Sequence, residues 1–342
     1  MKGKGWERVW IDPVTGRITG CDHHDRAIPA VAPVIISASR STDIPAFYGD
    51  WFTDRTRRGY VTWVNPFNGK VQHVSFARTR VLVFWSKNPR PFLPELRSLS
   101  ADGRQILFLF TLNDYSTEGL EPGVPPLEER IRTFSEVSSI LGRKRLTWRF
   151  DPILLSPTLT IDRVLGRIAE IGDQVHREAS RMIFSFIDIA RYAAVQRNLS
   201  AGYASGVKEP SADEELAIAR GISDLNEDWG LEIQACGEEQ DFSGFGIGRG
   251  ACISRDIMAT EFSGDRALME YLFAGQRGRK LKDPGQRKRC GCVPSKDIGH
   301  YSTCMHLCRY CYANFSPSRV TANYARYCRL KAAGIYHPSI IG

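Results

Sequence analysis

The chain has 342 residues, 42% hydrophobic and 25% charged, a balance that fits a globular protein with a substantial core, in one large domain or two smaller ones. No apolar run approaches the roughly 20 residues needed to span a bilayer, and the opening MKGKGWERVWIDPVTG lacks the apolar core and cleavage site of a secretory signal; no membrane role and a cytoplasmic location are the expectations. The net charge of +8 is uneven: residues 277–342 carry 13 Lys/Arg against 2 Asp/Glu, so the first 276 residues are slightly acidic.

Residues 1–33 read as a polar, irregular segment. It contains Cys21-Asp-His-His-Asp25, which reads as a solvated loop in preference to a metal site. From residue 34 to 276 short β-rich runs recur at 34–39, 61–65, 81–86, 106–112, 146–151, 182–188 and 231–236. They are nearly continuous apolar runs, as in parallel strands covered on both faces. Between most of them lie helical patterns. Asp43 is placed to cap a helix with Pro45 in its first turn. In 126–142 apolar residues fall at Leu127, Ile131, Phe134, Val137 and Leu141, and Gly142 ends the run. The stretches 161–175 and 212–230 behave alike, whereas NPFNGK followed by VQHVSFA (65–77) reads as a hairpin. Strand–helix alternation at this period predicts an α/β fold, a closed or nearly closed TIM-like (βα) barrel in preference to an open sheet, with an incomplete or circularly rearranged ring as its variant. The Gly-rich 244–250 stretch lacks the context of a dinucleotide site and reads as a flexible loop or lid. Residues 277–342 form a basic, cysteine-rich third segment, led in by the linker-like run 278–289.

In a parallel barrel the functional face is built from the carboxyl ends of the strands. Those ends carry Ser39-Arg40-Ser41-Thr42-Asp43, Asn65-Pro66-Phe67-Asn68, Ser86-Lys87-Asn88-Pro89, Thr111-Leu112-Asn113, Arg149-Phe150-Asp151, Asp188 and Cys236-Gly237-Glu238-Glu239. Asp43 and Asn65 read equally well as a cap and a turn. Lys87, Arg149 and Asp151 are candidate catalytic groups, because charges set among Trp, Phe and aliphatic residues need partners once buried. Arg40 and Asn88 are expected to line the same pocket.

Five of the nine cysteines fall within residues 290–311. Cytosolic thiols stay reduced, so such spacing argues for metal binding over disulfides. Cys304-x3-Cys308-x2-Cys311 offers three thiolates from one loop. A structural zinc needs four ligands, and so does an ordinary [4Fe–4S] cluster. A three-ligand loop leaves one iron for a substrate or cofactor. Cys236, Cys252, Cys290 and Cys292 are candidate ligands of a second [4Fe–4S] cluster or a Zn2+, with Arg287-Lys288-Arg289 offsetting its charge; the alternative is that Cys236 and Cys252 are small buried hydrophobes. Cys21 and Cys328 read as inert. His306, inside the triad, reads as a turn-shaping residue.

The run Cys304-Met-His-Leu-Cys308-Arg-Tyr310-Cys311-Tyr-Ala313 resembles the cluster loop of the radical S-adenosylmethionine (SAM) enzymes, in particular the branch containing spore photoproduct lyase. Over residues 34–320 the chain resembles the domain of unknown function numbered 1848, through Ser37 to Pro45, Phe84 to Pro89, Trp148 to Pro152 and Cys290 through Asn314. The first resemblance implies a [4Fe–4S] cluster whose open iron binds SAM, a 5′-deoxyadenosyl radical formed by one-electron reduction, and an external donor such as a ferredoxin or flavodoxin. It also implies that Tyr310 lies at the cofactor, and that Gly237-Glu238 holds the SAM amino group as a Gly-Gly-Glu segment does in that family. In those enzymes the cysteine loop follows the first strand; here it follows the last recognisable one.

The expected function is therefore a radical-SAM-like iron–sulfur enzyme acting on a small-molecule or nucleic-acid substrate. Two alternatives stand beside it. One is an iron–sulfur nucleic-acid-binding or repair protein that uses the basic C-terminal segment and Tyr301, Tyr310, Tyr312 and Phe315. The other is an electron-transfer protein with every cluster fully ligated by protein.

Overall fold

The computed structural model describes residues 6–19, 27–200, 206–273 and 281–342. Cys21, His23 and His24 lie outside the described residues. The chain opens with three strands, β1 (Glu7–Ile11), β2 (Ile18–Thr19) and β3 (Ile28–Ala32), with β1 antiparallel to both neighbours. The described part of the N-terminal segment, residues 6–19 and 27–33, is thus largely β-structure and not irregular. Its period-two pattern is short and interrupted by Arg8 and Pro29, but it places Val9, Ile11, Ala30 and Ala32 in one small core with Tyr60.

β4 (Ile35–Ala38) follows, buried throughout. Asp43 caps α1 (Ile44–Phe47) by accepting from the Ala46 amide at 2.9 Å, and α2 (Gly49–Arg57) continues from it. β5 (Tyr60–Val64) and β6 (Val71–Ser75) form the expected hairpin, and β6 runs parallel to β3. The 61–65 run therefore belongs to a five-stranded N-terminal sheet of order β2-β1-β3-β6-β5, outside the parallel series in which its sequence placed it.

The alternation then proceeds through β7 (Val81–Ser86), α3 (Leu93–Ala101), β8 (Gln105–Thr111), α4 (Leu127–Leu141), β9 (Leu146–Ile153), α5 (Ile161–Val175), β10 (Arg181–Phe186), α6 (Ala193–Ser200), α7 (Ala212–Trp229), β11 (Glu232–Ala235) and β12 (Gly248–Arg249). A capping box between Ser211 and Glu214 starts α7, and Gly230 ends it in the left-handed conformation. The predicted lid at 244–250 contains β12, which pairs parallel to β11. After α8 (Arg255–Glu261) and α9 (Arg266–Phe273) come β13 (Lys296–Asp297) and α10 (Pro317–Ala332).

The large sheet has the order β12-β11-β10-β9-β8-β7-β4-β13, and all of its pairings are parallel. Among the described residues no pairing joins β12 to β13, so the ladder is an eight-stranded parallel sheet with two ends. Both faces are covered. Leu82, Phe84, Phe108, Phe110, Trp148, Phe150, Met182 and Phe184 join the main core with residues of α4, α5 and α7. Ile35, Val81, Val83, Leu107, Leu109 and Ile183 pack on the other side against Met258, Leu268 and Leu272 of α8 and α9, and against Cys252, Cys290 and Cys292. Burial of both faces is why the strands read as unbroken apolar runs. The last strand lies beside the first: Lys296 pairs with Ile36 and Asp297 with Ser37. The C-terminal segment thus contributes a two-residue edge strand to the sheet. No helix among the described residues is long and apolar enough to cross a membrane.

Candidate active site

The carboxyl ends of the parallel strands surround a cavity of about 470 Å3. Of the residues singled out in the sequence, Arg40, Lys87, Arg149, Asp151, Tyr310 and all seven cysteines at 236, 252, 290, 292, 304, 308 and 311 line it. Asn88, Gly237 and Glu238 do not. The Asn88 amide donates to the Ser86 hydroxyl at 3.0 Å, in the turn that follows β7.

The loop carrying Cys304, Cys308 and Cys311 enters from β13. Asp297 ties that entry to the first strand's end, accepting from the Arg40 amide and the Gly299 amide at 2.8 Å each. Tyr48 donates to the Thr303 carbonyl at 2.7 Å, and Asn314 to the Cys304 carbonyl at 2.9 Å. Leu307, between two of the cysteines, has a φ of 54°, a left-handed conformation that β-carbons disfavour and that the surrounding bonds must hold. His306 shapes the turn: one ring nitrogen lies 2.9 Å from the Asp43 carboxylate, the other 3.0 Å from the Gly123 carbonyl. A β-carbon at Gly123 would stand 2.3 Å from the Met305 carbonyl oxygen, so this close approach requires glycine. Burial pushes all three thiols up, Cys308 to about 12, while the Lys87 charge acts in the opposite sense on Cys308 and Cys311.

Lys87 is the centre of a buried polar network. Its ammonium meets Glu121 at 2.7 Å and also donates to the Asn113 side chain, and it lies 5.6 Å from the Tyr310 ring centre. The Tyr310 hydroxyl donates to the same Glu121. Glu121 is 1% exposed at its side chain. Burial alone would raise its carboxyl, but the Lys87 and Arg130 charges outweigh that and hold it below its ordinary range. Next to this network, Asn113 donates to the Asp151 carbonyl at 3.2 Å, and the Asp151 carboxylate is held by the Arg149 guanidinium and by the Ser185 hydroxyl. Glu121 was not singled out in the sequence; it sits in a Pro/Gly-rich turn, and only the fold brings it under Lys87.

Cys236, Cys252, Cys290 and Cys292 come from three separate stretches and meet as free thiols. The Cys236 and Cys252 sulfurs are 3.6 Å apart, and the Ile253 amide donates to the Cys292 sulfur at 3.3 Å. Each thiol contacts two others. Cys252 and Cys290 accept from Cys236 and Cys292, which pulls Cys252 well down and Cys290 to about 3, and pushes the two donors up. Arginines surround the ring. Arg181, 1% exposed, donates to the Thr147 hydroxyl at 2.8 Å and to the Ala251 and Cys252 carbonyls at 3.1 and 3.3 Å, and the Arg149 charge also favours the Cys252 thiolate. Arg287 donates to the Cys236 carbonyl and to Asp188 at 2.9 Å each. Gly237, with a φ of 80°, leaves room for it: a β-carbon there would lie 2.5 Å from the Arg287 Nε. Among the described residues no three or more His, Cys, Asp or Glu side chains are set out as a ready-made ion site; the four thiols form a ring of S–H···S contacts.

Glu238 lies behind this ring, accepting from the Phe186 amide at 3.1 Å with Arg287 4.0 Å away. Burial raises its carboxyl to about 7 despite that arginine. Between its ordinary 4.5 and about 7 the folded chain keeps a proton that the unfolded chain releases, so stability falls as pH rises across this window. The full effect is on the order of 3 kcal/mol at about 1.4 kcal/mol per unit. Urea unfolding at pH 5 and pH 8 checks this: Glu238→Gln should lose less stability than the parent on the alkaline side, and equal losses would contradict it.

No curated protein matches the chain. Among solved structures, one similar chain is a putative alpha-L-fucosidase from Bacteroides thetaiotaomicron, at 12% identity over 73% of this chain and 82% of that one, with a TM-score of 0.23. Another is a ligand-free DHODH from Eimeria tenella, at 12% identity over 90% and 87%, with a TM-score of 0.24. Superposition this loose carries nothing to the site. The family model described as Domain of unknown function (DUF1848) matches residues 35–313, which takes in the parallel sheet and every cysteine of the cavity, and the chain belongs to that family.

Proposed function

We propose that this protein is an iron–sulfur enzyme of the radical-SAM type. In this reading the sheet is a rearranged (βα) barrel, Cys304, Cys308 and Cys311 hold a [4Fe–4S] cluster with one open iron, and Cys236, Cys252, Cys290 and Cys292 hold a second metal. The observation that carries it is that seven cysteines from distant stretches line one polar cavity at the carboxyl ends of parallel strands. The neighbour relation of β13 and β4 supports it further, since it sets the late cysteine loop next to the first strand's end.

The donor sets fit. Three thiols on one pinned loop suit an incompletely ligated cluster. For the second site, a Zn–S bond near 2.3 Å implies tetrahedral sulfur–sulfur edges of about 3.8 Å, close to the 3.6 Å between Cys236 and Cys252. A single Zn2+ is taken as the second metal in this reading. When bound, the cluster and SAM supply one-electron radical chemistry. The chain's own residues bind and orient. Lys87 places positive charge beside Cys308 and Cys311, favouring their thiolates, and Glu121 fixes Lys87. The guanidinium groups of Arg40 and Arg149 line the cavity and offer positive charge to a carboxylate or phosphate entering it. Asp151, fixed by Arg149 and Ser185, presents a carboxylate acceptor to the cavity. An external one-electron donor such as a ferredoxin or flavodoxin belongs to the same reading.

The test is anaerobic purification followed by iron, sulfide and zinc analysis. About four irons and four sulfides per chain are expected, with one zinc at the second site. Zinc alone would overturn the reading.

A further inference from the structure

A line of aromatic rings leads from the surface into the cavity. Phe67, 82% exposed at the tip of the β5–β6 hairpin, lies edge-on to Tyr301 at 5.8 Å. Tyr301 contacts Tyr312 at 6.1 Å and Phe315 at 5.7 Å, and Tyr312 stacks on Tyr192 at 5.2 Å with the planes 28° apart. Tyr312 and Tyr192 are themselves part of the cavity wall. Tyr312 turns its hydroxyl inward to the Arg40 carbonyl at 3.1 Å while 36% of the residue stays exposed. Exposed arginines flank the rings. Arg191 lies over Tyr192 at 6.0 Å and Arg319 over Phe315 at 5.7 Å, and Arg197 donates to the Phe315 carbonyl at 3.3 Å.

We propose that this rim is a stacking platform for single-stranded nucleic acid, which delivers one base to the cavity. Rings offer a sequence-tolerant surface to bases, and arginines beside them meet the phosphates. The platform opens on the cavity through Tyr192 and Tyr312, and enzymes that act on a base must reach it outside the duplex. Charge complementarity selects a polyanion over a neutral sugar or an apolar peptide, because these rings lie on or against the segment 277–342, with its 13 basic and 2 acidic residues. That the delivered base is the substrate rests on the enzyme reading above; binding of the strand does not.

The experiment is fluorescence anisotropy on the anaerobically purified full chain. The probes are a labelled oligothymidylate of about twelve nucleotides and its duplex with oligodeoxyadenylate, and iron is assayed on the same sample. The single strand should bind about tenfold tighter than the duplex, and raising salt from about 50 to about 200 mM should weaken it roughly tenfold. Phe67→Ala, at an exposed tip remote from the cysteines, should lose about tenfold, and Arg319→Ala should flatten the salt dependence. Binding that is absent, salt-independent, equal for duplex, or unchanged in Phe67→Ala overturns the platform. An iron-loaded chain that ignores the strand sinks this proposal alone, and an iron-free chain that binds it sinks only the enzyme reading.

Discussion

Alanine at Cys304, Cys308 or Cys311 is expected to remove the proposed catalytic cluster and with it all turnover, while the proposed second metal stays in place. The expectation follows from incomplete ligation: with three thiols on the loop, losing one leaves two, and no neighbouring side chain replaces it. His306, inside the loop, is committed elsewhere, between Asp43 and Gly123. The fold survives, because the loop is held by contacts that do not use sulfur, among them Tyr48 to Thr303 and Asn314 to Cys304. Each variant should lose about four irons and its visible absorption, keep its circular dichroism, and retain the metal of the four-thiol site. In the reverse experiment, Cys290→Ala should lose the second metal and keep the irons. Parallel loss of both metals in every variant would show one shared site in place of two.

The second large effect is expected at Lys87. Its side chain is 13% exposed and that of its partner Glu121 is 1% exposed, so removing either side leaves a charge stranded in the interior. Such a loss costs about 3–5 kcal/mol, whereas replacing both members together recovers much of it. Glu121→Gln and Lys87→Met should each lower the urea midpoint strongly, and the double variant should lie well above their sum. Simple additivity would remove the pair from the account. The pH dependence has a defined sign. Glu121 is held below its ordinary 4.5, so its contribution is present above that value and is lost as pH falls into the acid range. Acid sensitivity should therefore be greater in the parent than in the double variant. Lys87→Met should also slow turnover beyond any loss of stability, since it withdraws the positive charge beside Cys308 and Cys311.

Much of the parallel sheet is legible in the sequence because its strands are buried on both faces, and continuous apolar runs such as VLVFWS and ILFLFTL leave little else to be. The N-terminal strands escape notice for the opposite reason: they bury one face against a small core and read as polar. β12 and β13 span two residues each, too short for any pattern. β13 nevertheless matters most to the site, since it sets the cysteine loop beside Arg40. The strand-end polar residues gather as expected because topology alone brings carboxyl ends together. Glu121 and Arg181 become visible only through tertiary contact: a buried lysine requires a carboxylate somewhere, but nothing local says which. Asn88 shows the converse, since Asn-Pro after a strand reads as a pocket residue and serves a turn.

The most direct test of the account is to reduce the iron-loaded chain in the presence of SAM and to measure 5′-deoxyadenosine by chromatography. The account predicts its release by the parent chain and none from Cys308→Ala, with the second metal retained in both. A parent chain carrying its full iron and sulfide, reduced and supplied with SAM, that releases no 5′-deoxyadenosine would contradict it.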